Sequence, residues 1–204
     1  MSRALWSEDD RANAAHFGER VSTYGVDPRS LDWSGEATQH RRFEVLAAVG
    51  DLAHATVLDV GCGTGDLAAW LAACDIPVEY TGIDVTPEML DLARQRFPQH
   101  TFRRQSVVEL DADEAYDFVL LSGVFARRTT APEQFIHEAV TRMFRACRTA
   151  VAFNSLSTWA DRREAIDYHA DPLATIEFCR SLSPVLALRH DYHRGDFTVY
   201  LYRG

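Results

Sequence analysis

The chain has 204 residues, of which 47% are hydrophobic, and this length suits one domain with a sizeable core. Its formal net charge is −9, which disfavours a nucleic-acid partner because binding to phosphates requires a basic face. The sequence has no apolar run long enough to span a membrane and no secretory signal pattern, and its scattered cysteines form no Cys-x-x-Cys pair. We therefore expect a cytoplasmic protein with no metal site and no disulfide framework.

Residues 1–35 are polar but contain spaced aromatic side chains, and residues 12–21 predict a helix. Isolated aromatics in a polar segment indicate an arm or lid that docks on the rest of the chain, with a partly ordered tail as the alternative. Tyr24 and Trp33 are the candidate substrate contacts of this arm. We expect the main domain to span residues 36–204 and to begin with a helix.

The central feature of the sequence is a predicted strand, a glycine-rich turn and the start of a helix. Residues 56–60 are apolar and β-branched, as in a buried parallel strand. Helical spacing of apolar residues begins after a turn that contains Gly61, Cys62, Gly63 and Gly65. Glycines let a ligand lie against bare backbone, and the first amides of a helix carry a partial positive charge. This combination predicts a nucleotide-type binding site, a device that nicotinamide and flavin proteins also use.

Strands and helices alternate along the rest of the chain. The further predicted strands are residues 78–83, 101–104, 116–121 and 150–153. Helices are predicted after an N-cap at Thr86 and over residues 132–147 and 172–180. An antiparallel hairpin is predicted from residues 185–188 and 197–201. Alternation of this kind predicts a mostly parallel sheet with right-handed crossovers.

Asp59 distinguishes between the classes of nucleotide-type site. It precedes Gly61 by two residues in the pattern Asp-x-Gly-x-Gly-x-Gly, whereas the dinucleotide fingerprint is Gly-x-Gly-x-x-Gly. A carboxylate at the strand end would repel a pyrophosphate and would suit a cationic ligand such as an ammonium group. At these positions the chain resembles the class I S-adenosylmethionine-dependent methyltransferases, whose first motif matches Asp59, Gly61, Gly63 and Gly65.

The resemblance covers about residues 36–203. It implies an α/β three-layer sandwich around a mostly parallel seven-stranded sheet of order 3-2-1-4-5-7-6, closed by an antiparallel C-terminal hairpin. It also implies S-adenosylmethionine as the cofactor. Segments around Trp33, Asn154 and residues 189–201 resemble one subgroup of small bacterial members, for which no substrate follows.

The resemblance also implies cofactor contacts beyond the glycine turn. Asp84 ends the second predicted strand, where an acidic residue accepts hydrogen bonds from both ribose hydroxyls. The positions where the family packs apolar groups around the cofactor match Val85 and Met89. After the third strand, family members present an acidic residue to the adenine amino group, and Ser106 occupies that position here. Either Ser106 and the Val107 amide suffice, or Gln105 substitutes.

The amino-acid end of such a cofactor needs partners for its ammonium and carboxylate groups. Asp59 suits the ammonium group, and the amides of the glycine turn supply part of what the carboxylate needs. An arginine would supply more, because its planar fork matches a carboxylate. We expect Arg42, on the helix before the first strand, to be this group, with Arg20 on the arm as the alternative.

The ends of the fourth and fifth predicted strands indicate where an acceptor would bind. Ser122 and Gly123 are predicted to approach the cofactor, because backbone can come close to a ligand at such a strand tip. Phe125 and Asn154 are predicted substrate contacts.

Four residues in later loops are candidates for chemistry. Tyr168 and His169 are candidate catalytic bases or substrate contacts, with an ordinary polar loop as the alternative. Arg127 and Arg128 either pair with an anionic substrate group or are solvated, which is the commoner state of loop arginines.

These features predict a methyltransferase that acts on a small-molecule metabolite. The sulfonium methyl group is already activated, so the protein mainly aligns the acceptor and excludes water. The first alternative is a non-methylating S-adenosylmethionine enzyme, through intramolecular alkyl transfer or a lyase reaction. The second is a non-catalytic, cofactor-binding partner subunit.

Overall fold

A central seven-stranded sheet organises the fold. The computed structural model describes residues 3–27, 35–111 and 113–204, so Trp33 lies outside the described residues. The strands β1 to β7 are Thr56–Val60, Glu79–Asp84, Thr101–Arg104, Tyr116–Leu121, Cys147–Leu156, Leu186–Arg189 and Asp196–Tyr202. The sheet order is β3-β2-β1-β4-β5-β7-β6. Strands β1 to β5 are parallel, and β7 is antiparallel to β5 and β6, which confirms the predicted sheet and hairpin.

Helices cover both faces of the sheet. The α-helices of the described residues, α1 to α6, are Arg3–Tyr24, Glu36–Ala47, Asp66–Ala73, Pro87–Arg96, Pro132–Ala146 and Pro172–Leu182. Apolar residues of α2 and α3 pack on one face with Val57, and those of α5 and α6 pack on the other with Leu58. Successive strand residues point to opposite faces, so a strand covered on both sides is predominantly apolar. None of these helices is both long and apolar enough to cross a bilayer.

The strand order places the glycine turn where a ligand is expected. The chain proceeds from β1 to β2 and β3 on one side and returns to β4 on the other side of β1. The carboxyl ends of β1 and β4 therefore stand side by side at the point where the order reverses. Open α/β sheets bind ligands in the crevice at such a point.

The arm forms one long helix, α1, which extends the helix predicted over residues 12–21 at both ends. Gly18 of α1 lies against α4, and a Cβ atom at this position would lie 2.8 Å from Glu88 Oε2. Near the other end of α1, the Asp9 carboxylate accepts hydrogen bonds from the Thr130 hydroxyl at 3.0 Å and from the Thr130 amide at 3.2 Å. These contacts hold α1 between α4 and the loop that follows β4.

Candidate active site

A cavity opens at the carboxyl ends of β1 to β4, beneath α1. It contains about 1000 Å³ of empty space, part of it open solvent, which is the upper end of the usual range for small-molecule sites. The predicted cofactor residues that line it are Asp59, Gly61, Cys62, Gly63, Asp84, Val85, Met89, Ser106, Val107, Ser122 and Gly123. The fold thus brings together residues from four strand ends.

The glycine turn packs directly against the loop after β4. Gly61 has a φ of +71°, in the left-handed region that glycine adopts without strain. A Cβ atom at Gly61 would lie 2.2 Å from Val124 Cγ2, so this position requires glycine for space as well. Gly65, by contrast, is the N-cap of α3 and does not line the cavity. Its predicted cofactor contact is therefore corrected to a role in turning the chain into α3.

The amides of the turn are already hydrogen bonded within the protein. Those of Gly61 and Cys62 donate to the Ile83 carbonyl oxygen at 2.8 and 3.0 Å. The Gly63 amide donates to Asp84 Oδ2 at 3.0 Å. These three amides are engaged within the protein, and their predicted contribution to holding a carboxylate stays a prediction.

Asp84 stabilises the connection between β2 and α4 as well as the turn. Its Oδ1 accepts a hydrogen bond from the Thr86 amide at 2.8 Å. Thr86 is the N-cap residue of α4, as predicted, but its side chain makes no capping hydrogen bond. Burial raises the pKa of the Asp84 carboxyl, and the hydrogen bonds from the Thr86 and Gly63 amides lower it in part.

Asp59 is buried at the centre of the cavity wall. The Tyr80 hydroxyl donates a hydrogen bond to Asp59 Oδ2 at 2.5 Å. Burial raises the pKa of Asp59 to about 7, the Tyr80 hydrogen bond lowers it in part, and the negative charges of Asp84 and Asp66 raise it further. A buried carboxyl with this pKa gains from a cationic ligand, which stabilises its ionised form.

A buried serine hydroxyl lies at the corner of the cavity at the end of β3. Ser106 Oγ is buried and has no partner with hydrogen-bond geometry among the described residues. Gln105 is engaged, since its amide donates to the Glu109 carbonyl oxygen at 3.3 Å. Asp10 of α1 faces the same corner: burial raises its pKa, and the nearby Ser106 hydroxyl lowers it in part.

Asn154 is hydrogen bonded to the two residues that follow β4. Its Oδ1 accepts a hydrogen bond from the Gly123 amide at 2.9 Å, and its Nδ2 donates to Ser122 Oγ at 3.1 Å. Neither Asn154 nor Phe125 lines the cavity. Phe125 is buried in the core, where its ring packs edge-on against Phe153. The predicted substrate contacts of Asn154 and Phe125 are therefore corrected to a supporting residue and a core residue.

Arg42 lies outside the cavity, which corrects its predicted role as a carboxylate clamp. Its guanidinium forms a buried ion pair with Asp196 of β7 at 2.6 Å. Gln39, one turn earlier on α2, lines the cavity in its place. The alternative, Arg20, lies over the Tyr24 ring at 5.5 Å, and neither residue of this pair lines the cavity. Tyr24 is thus corrected from a substrate contact to an exposed residue of α1.

Tyr168 and His169 do not line the cavity either. The Tyr168 amide donates to the Ala126 carbonyl oxygen at 2.8 Å, and its ring packs against the core around α5. The backbone bond to Ala126 places this segment next to the loop after β4, and a catalytic role for Tyr168 or His169 stays a prediction.

The sequence predicts a docking arm but does not indicate the three residues of α1 that reach the cavity. Asp10, Asn13 and Phe17 line the cavity, and their spacing of three and then four residues places them on one face of the helix. This spacing was visible in the sequence, but nothing local indicates what that face meets. Arg127 also lines the cavity, whereas Arg128 does not.

The chain is similar to known methyltransferases. Residues 57–150 match the family described as a methyltransferase domain. A Mycobacterium tuberculosis protein, Rv1506c, which carries a provisional methyltransferase name, is 35% identical over 151 residues, or 71% of this chain and 90% of that relative. Magnesium protoporphyrin IX methyltransferase from Synechocystis PCC 6803 with bound SAM has a TM-score of 0.69 at 19% identity, over 96% of this chain and 97% of that one. A DhpI complex with SAH has a TM-score of 0.70 at 18% identity, over 100% and 98% of the two chains.

Proposed function

The chain belongs to the class I S-adenosylmethionine-dependent methyltransferases, and on this premise we propose that it methylates a small-molecule acceptor. S-adenosylmethionine is the cofactor of the family. One observation carries the proposal: α1 covers the cavity at the strand ends, so an acceptor has to fit into a confined space. The net charge of −9 also argues against a nucleic-acid acceptor.

The residues of the cavity fit this cofactor. Asp10, Asp59 and Asp84 make the cavity negative, which suits a ligand that carries a sulfonium and an ammonium group. Gly61 leaves backbone exposed where any side chain would collide, and Ser106 Oγ offers a buried polar atom without a partner among the described residues. When bound, the cofactor supplies an activated methyl group.

We assign the cofactor contacts by charge and position. Asp84 would accept hydrogen bonds from the ribose hydroxyls, as acidic residues at this strand end do. Asp59 would receive the ammonium group. Val85 and Met89 would pack against the apolar surface of the nucleoside, since both line the cavity next to Asp84.

The protein's own contribution to the reaction is proposed to be alignment and exclusion of water. Asn13 and Phe17 face the cavity from α1, and Ser122 and Val124 face it from the tip of β4. An acceptor between these two walls would be held in a narrow range of orientations. Alignment of this kind accounts for a large share of the rate of group transfer.

The pH dependence of binding tests the assignment of Asp59. Below its pKa of about 7 this carboxyl is largely protonated, and an incoming ammonium group has to displace the proton. The affinity for S-adenosylhomocysteine should therefore rise roughly tenfold between pH 5.5 and 7.5 in calorimetry, because the ionised form gains a charge partner. 5′-Methylthioadenosine, which lacks the amino-acid end, should gain far less.

A variant sharpens the same test. Tyr80→Phe removes the hydrogen bond that lowers the Asp59 pKa, so the transition should move to higher pH. Identical pH profiles for the two ligands would contradict the assignment of Asp59 to the ammonium group.

A second prediction concerns the corner at the end of β3. Asp10 and Ser106 face this corner together, and an adenine amino group there would find the Asp10 carboxylate as an acceptor. Asp10→Ala should weaken S-adenosylhomocysteine about tenfold, the value of one hydrogen bond to a charged group. S-Inosylhomocysteine, which has an oxygen in place of the amino group, should bind both proteins equally. Equal losses for both ligands would mean that Asp10 acts only through the docking of α1.

Transfer of an isotopic label tests the proposed function itself. The protein is incubated with S-adenosylmethionine carrying a deuterated methyl group and with a fractionated extract of small metabolites, and labelled products are detected by mass spectrometry. We expect label in a small molecule only when protein is present. Consumption of the cofactor without any acceptor would favour intramolecular alkyl transfer or a lyase reaction. Activity only after addition of a co-purifying partner would favour a non-catalytic subunit.

A further inference from the structure

The charged side chains that line the cavity are mostly negative, but one of them is an arginine. The cationic groups of the cofactor account for the carboxylates and not for the arginine. Its described lining residues include four carboxylates, Asp10, Asp59, Asp66 and Asp84, and a single basic side chain, Arg127. Asp66 is neutralised from outside the lining, by an ion pair with Arg96 at 2.6 Å. The other three carboxylates therefore suit the cationic groups of the ligand. The position of Arg127 in the cavity has to be explained in another way.

Arg127 is held in a fixed position against the cavity. Its Nε donates a hydrogen bond to Asn13 Oδ1 at 3.1 Å, and its guanidinium lies 5.7 Å from the centre of the Phe17 ring. Its backbone forms an antiparallel bridge with Asp167. Within the described residues its two Nη groups have no hydrogen-bond partner and no carboxylate within ion-pair distance. The protein thus fixes the position of the guanidinium, while the two Nη groups make no hydrogen bond to a described residue.

A purely structural role for Arg127 would look different. Two carboxylates of α1 are candidate ion-pair partners for such an arginine: Asp10, which lines the same cavity, and Asp9, which contacts the loop after β4. Asp9, however, accepts its hydrogen bonds from Thr130, and Asp10 faces Ser106. Arg128 shows the ordinary case, since it is exposed and donates to the Asp167 carbonyl oxygen at 3.3 Å. Arg127 lines the cavity and is paired with neither of these carboxylates.

We propose that Arg127 binds a carboxylate group inside the cavity, contributed either by the methyl acceptor or by the amino-acid end of the cofactor. The proposal rests on the proposed function and deepens it. The planar fork of arginine matches a carboxylate in two parallel hydrogen bonds. The backbone donors of the glycine turn are engaged, because the Gly61 and Cys62 amides bond to the Ile83 carbonyl oxygen.

A chemical argument favours the methyl acceptor as the source of the carboxylate. The carboxylates that line the cavity are assigned to the cofactor or paired with Arg96, and no histidine or tyrosine is among the described lining residues. A hydroxyl acceptor loses a proton during transfer and calls for a base, whereas a carboxylate is deprotonated at neutral pH and attacks the methyl carbon directly. In that step an oxygen–carbon bond forms, the carbon–sulfur bond breaks, and the electron pair of the broken bond stays on sulfur as the sulfonium becomes a thioether.

Two titrations identify the source of the carboxylate. In the first, calorimetry compares S-adenosylhomocysteine with 5′-methylthioadenosine. If the carboxylate belongs to the cofactor, Arg127→Ala should weaken S-adenosylhomocysteine about tenfold and leave 5′-methylthioadenosine unchanged, as for the loss of one charge-assisted contact. In the second, the melting temperature of protein saturated with S-adenosylhomocysteine is followed with benzoate or malonate and with the matching amides. If the acceptor is the source, only the acids should stabilise the wild type, and Arg127→Ala should abolish that effect.

Two variants serve as controls. Arg128→Ala removes an equal charge from the same loop but outside the cavity, and it should behave like the wild type in both titrations. Asn13→Ala loosens the link between Arg127 and α1 while keeping the guanidinium, which separates docking of the helix from binding of an anion. The proposal is overturned if Arg127→Ala matches Arg128→Ala in both titrations. Because binding of S-adenosylhomocysteine by all these proteins is measured as well, that outcome would leave the methyltransferase assignment standing.

Discussion

Replacing Asp84 by alanine is expected to weaken the binding of S-adenosylhomocysteine about a hundredfold. Two hydrogen bonds from ribose hydroxyls to this carboxylate would be lost, and each bond to a charged group contributes about 1.5–3 kcal/mol. Asp84→Asn, which keeps an acceptor oxygen but loses the charge, should lose less. Calorimetry measures both, with circular dichroism to verify that the variants are folded.

A second ligand separates binding from the structural role of Asp84. Its carboxylate also accepts hydrogen bonds from the Gly63 and Thr86 amides, so the substitution disturbs the turn as well. An S-adenosylhomocysteine analogue without the two ribose hydroxyls should bind wild type and Asp84→Ala with similar, low affinity. Equal losses for both ligands would mean that Asp84 acts only through the turn, and no loss for either would remove it from the ribose site.

Gly61→Ala is expected to abolish detectable binding of S-adenosylhomocysteine and to lower the melting temperature. An alanine in the left-handed region costs about 1–2 kcal/mol, and the new methyl group would also lie 2.2 Å from Val124 Cγ2. Relief of that contact requires movement of the turn or of the loop after β4, and both form the cavity wall. Each kcal/mol lowers the melting temperature of a chain of this size by about 2–4 °C.

The chain offers a matched control for this substitution. Gly25 has a similar φ of +63°, but nothing lies within 4 Å of the position a Cβ atom would take. Gly25→Ala should therefore show the backbone strain alone, with ligand binding retained. The double variant Gly61→Ala, Val124→Ala removes the collision and should recover part of the lost stability. If Gly61→Ala and Gly25→Ala destabilise equally, close packing at the turn is not what requires glycine.

The central strands of the sheet could be predicted from their own residues. The predicted bounds of β1 and β4, residues 56–60 and 116–121, match the structure, because a strand buried on both faces is predominantly apolar and turn residues end it. The length of the helix in the arm was harder to predict from sequence. The structure has α1 over Arg3–Tyr24, whereas the sequence predicts a helix over residues 12–21. A helix that docks on a neighbour is stabilised by that contact as much as by its own residues, and the contact is not written locally.

The part of the candidate site that lies at the ends of β1 and β2 was also predictable from sequence. Asp59, Gly61 and Asp84 follow directly from strand ends, and the carboxyl ends of neighbouring parallel strands meet at one edge of the sheet. Their positions relative to each other are therefore fixed once the strand order is known.

The side chains that complete the cavity could not be predicted from local sequence. Gln39 and Arg42 lie one turn apart on α2, and helical spacing cannot tell which of them reaches the site. Arg42 forms a buried ion pair with Asp196 of β7, which lies more than 150 residues later in the chain. Gln39 lines the cavity instead. Arg127 meets Asn13 across more than a hundred residues of sequence in the same way. An ion pair or hydrogen bond of this kind forms only after the fold has brought its partners together, so local patterns carry no trace of it.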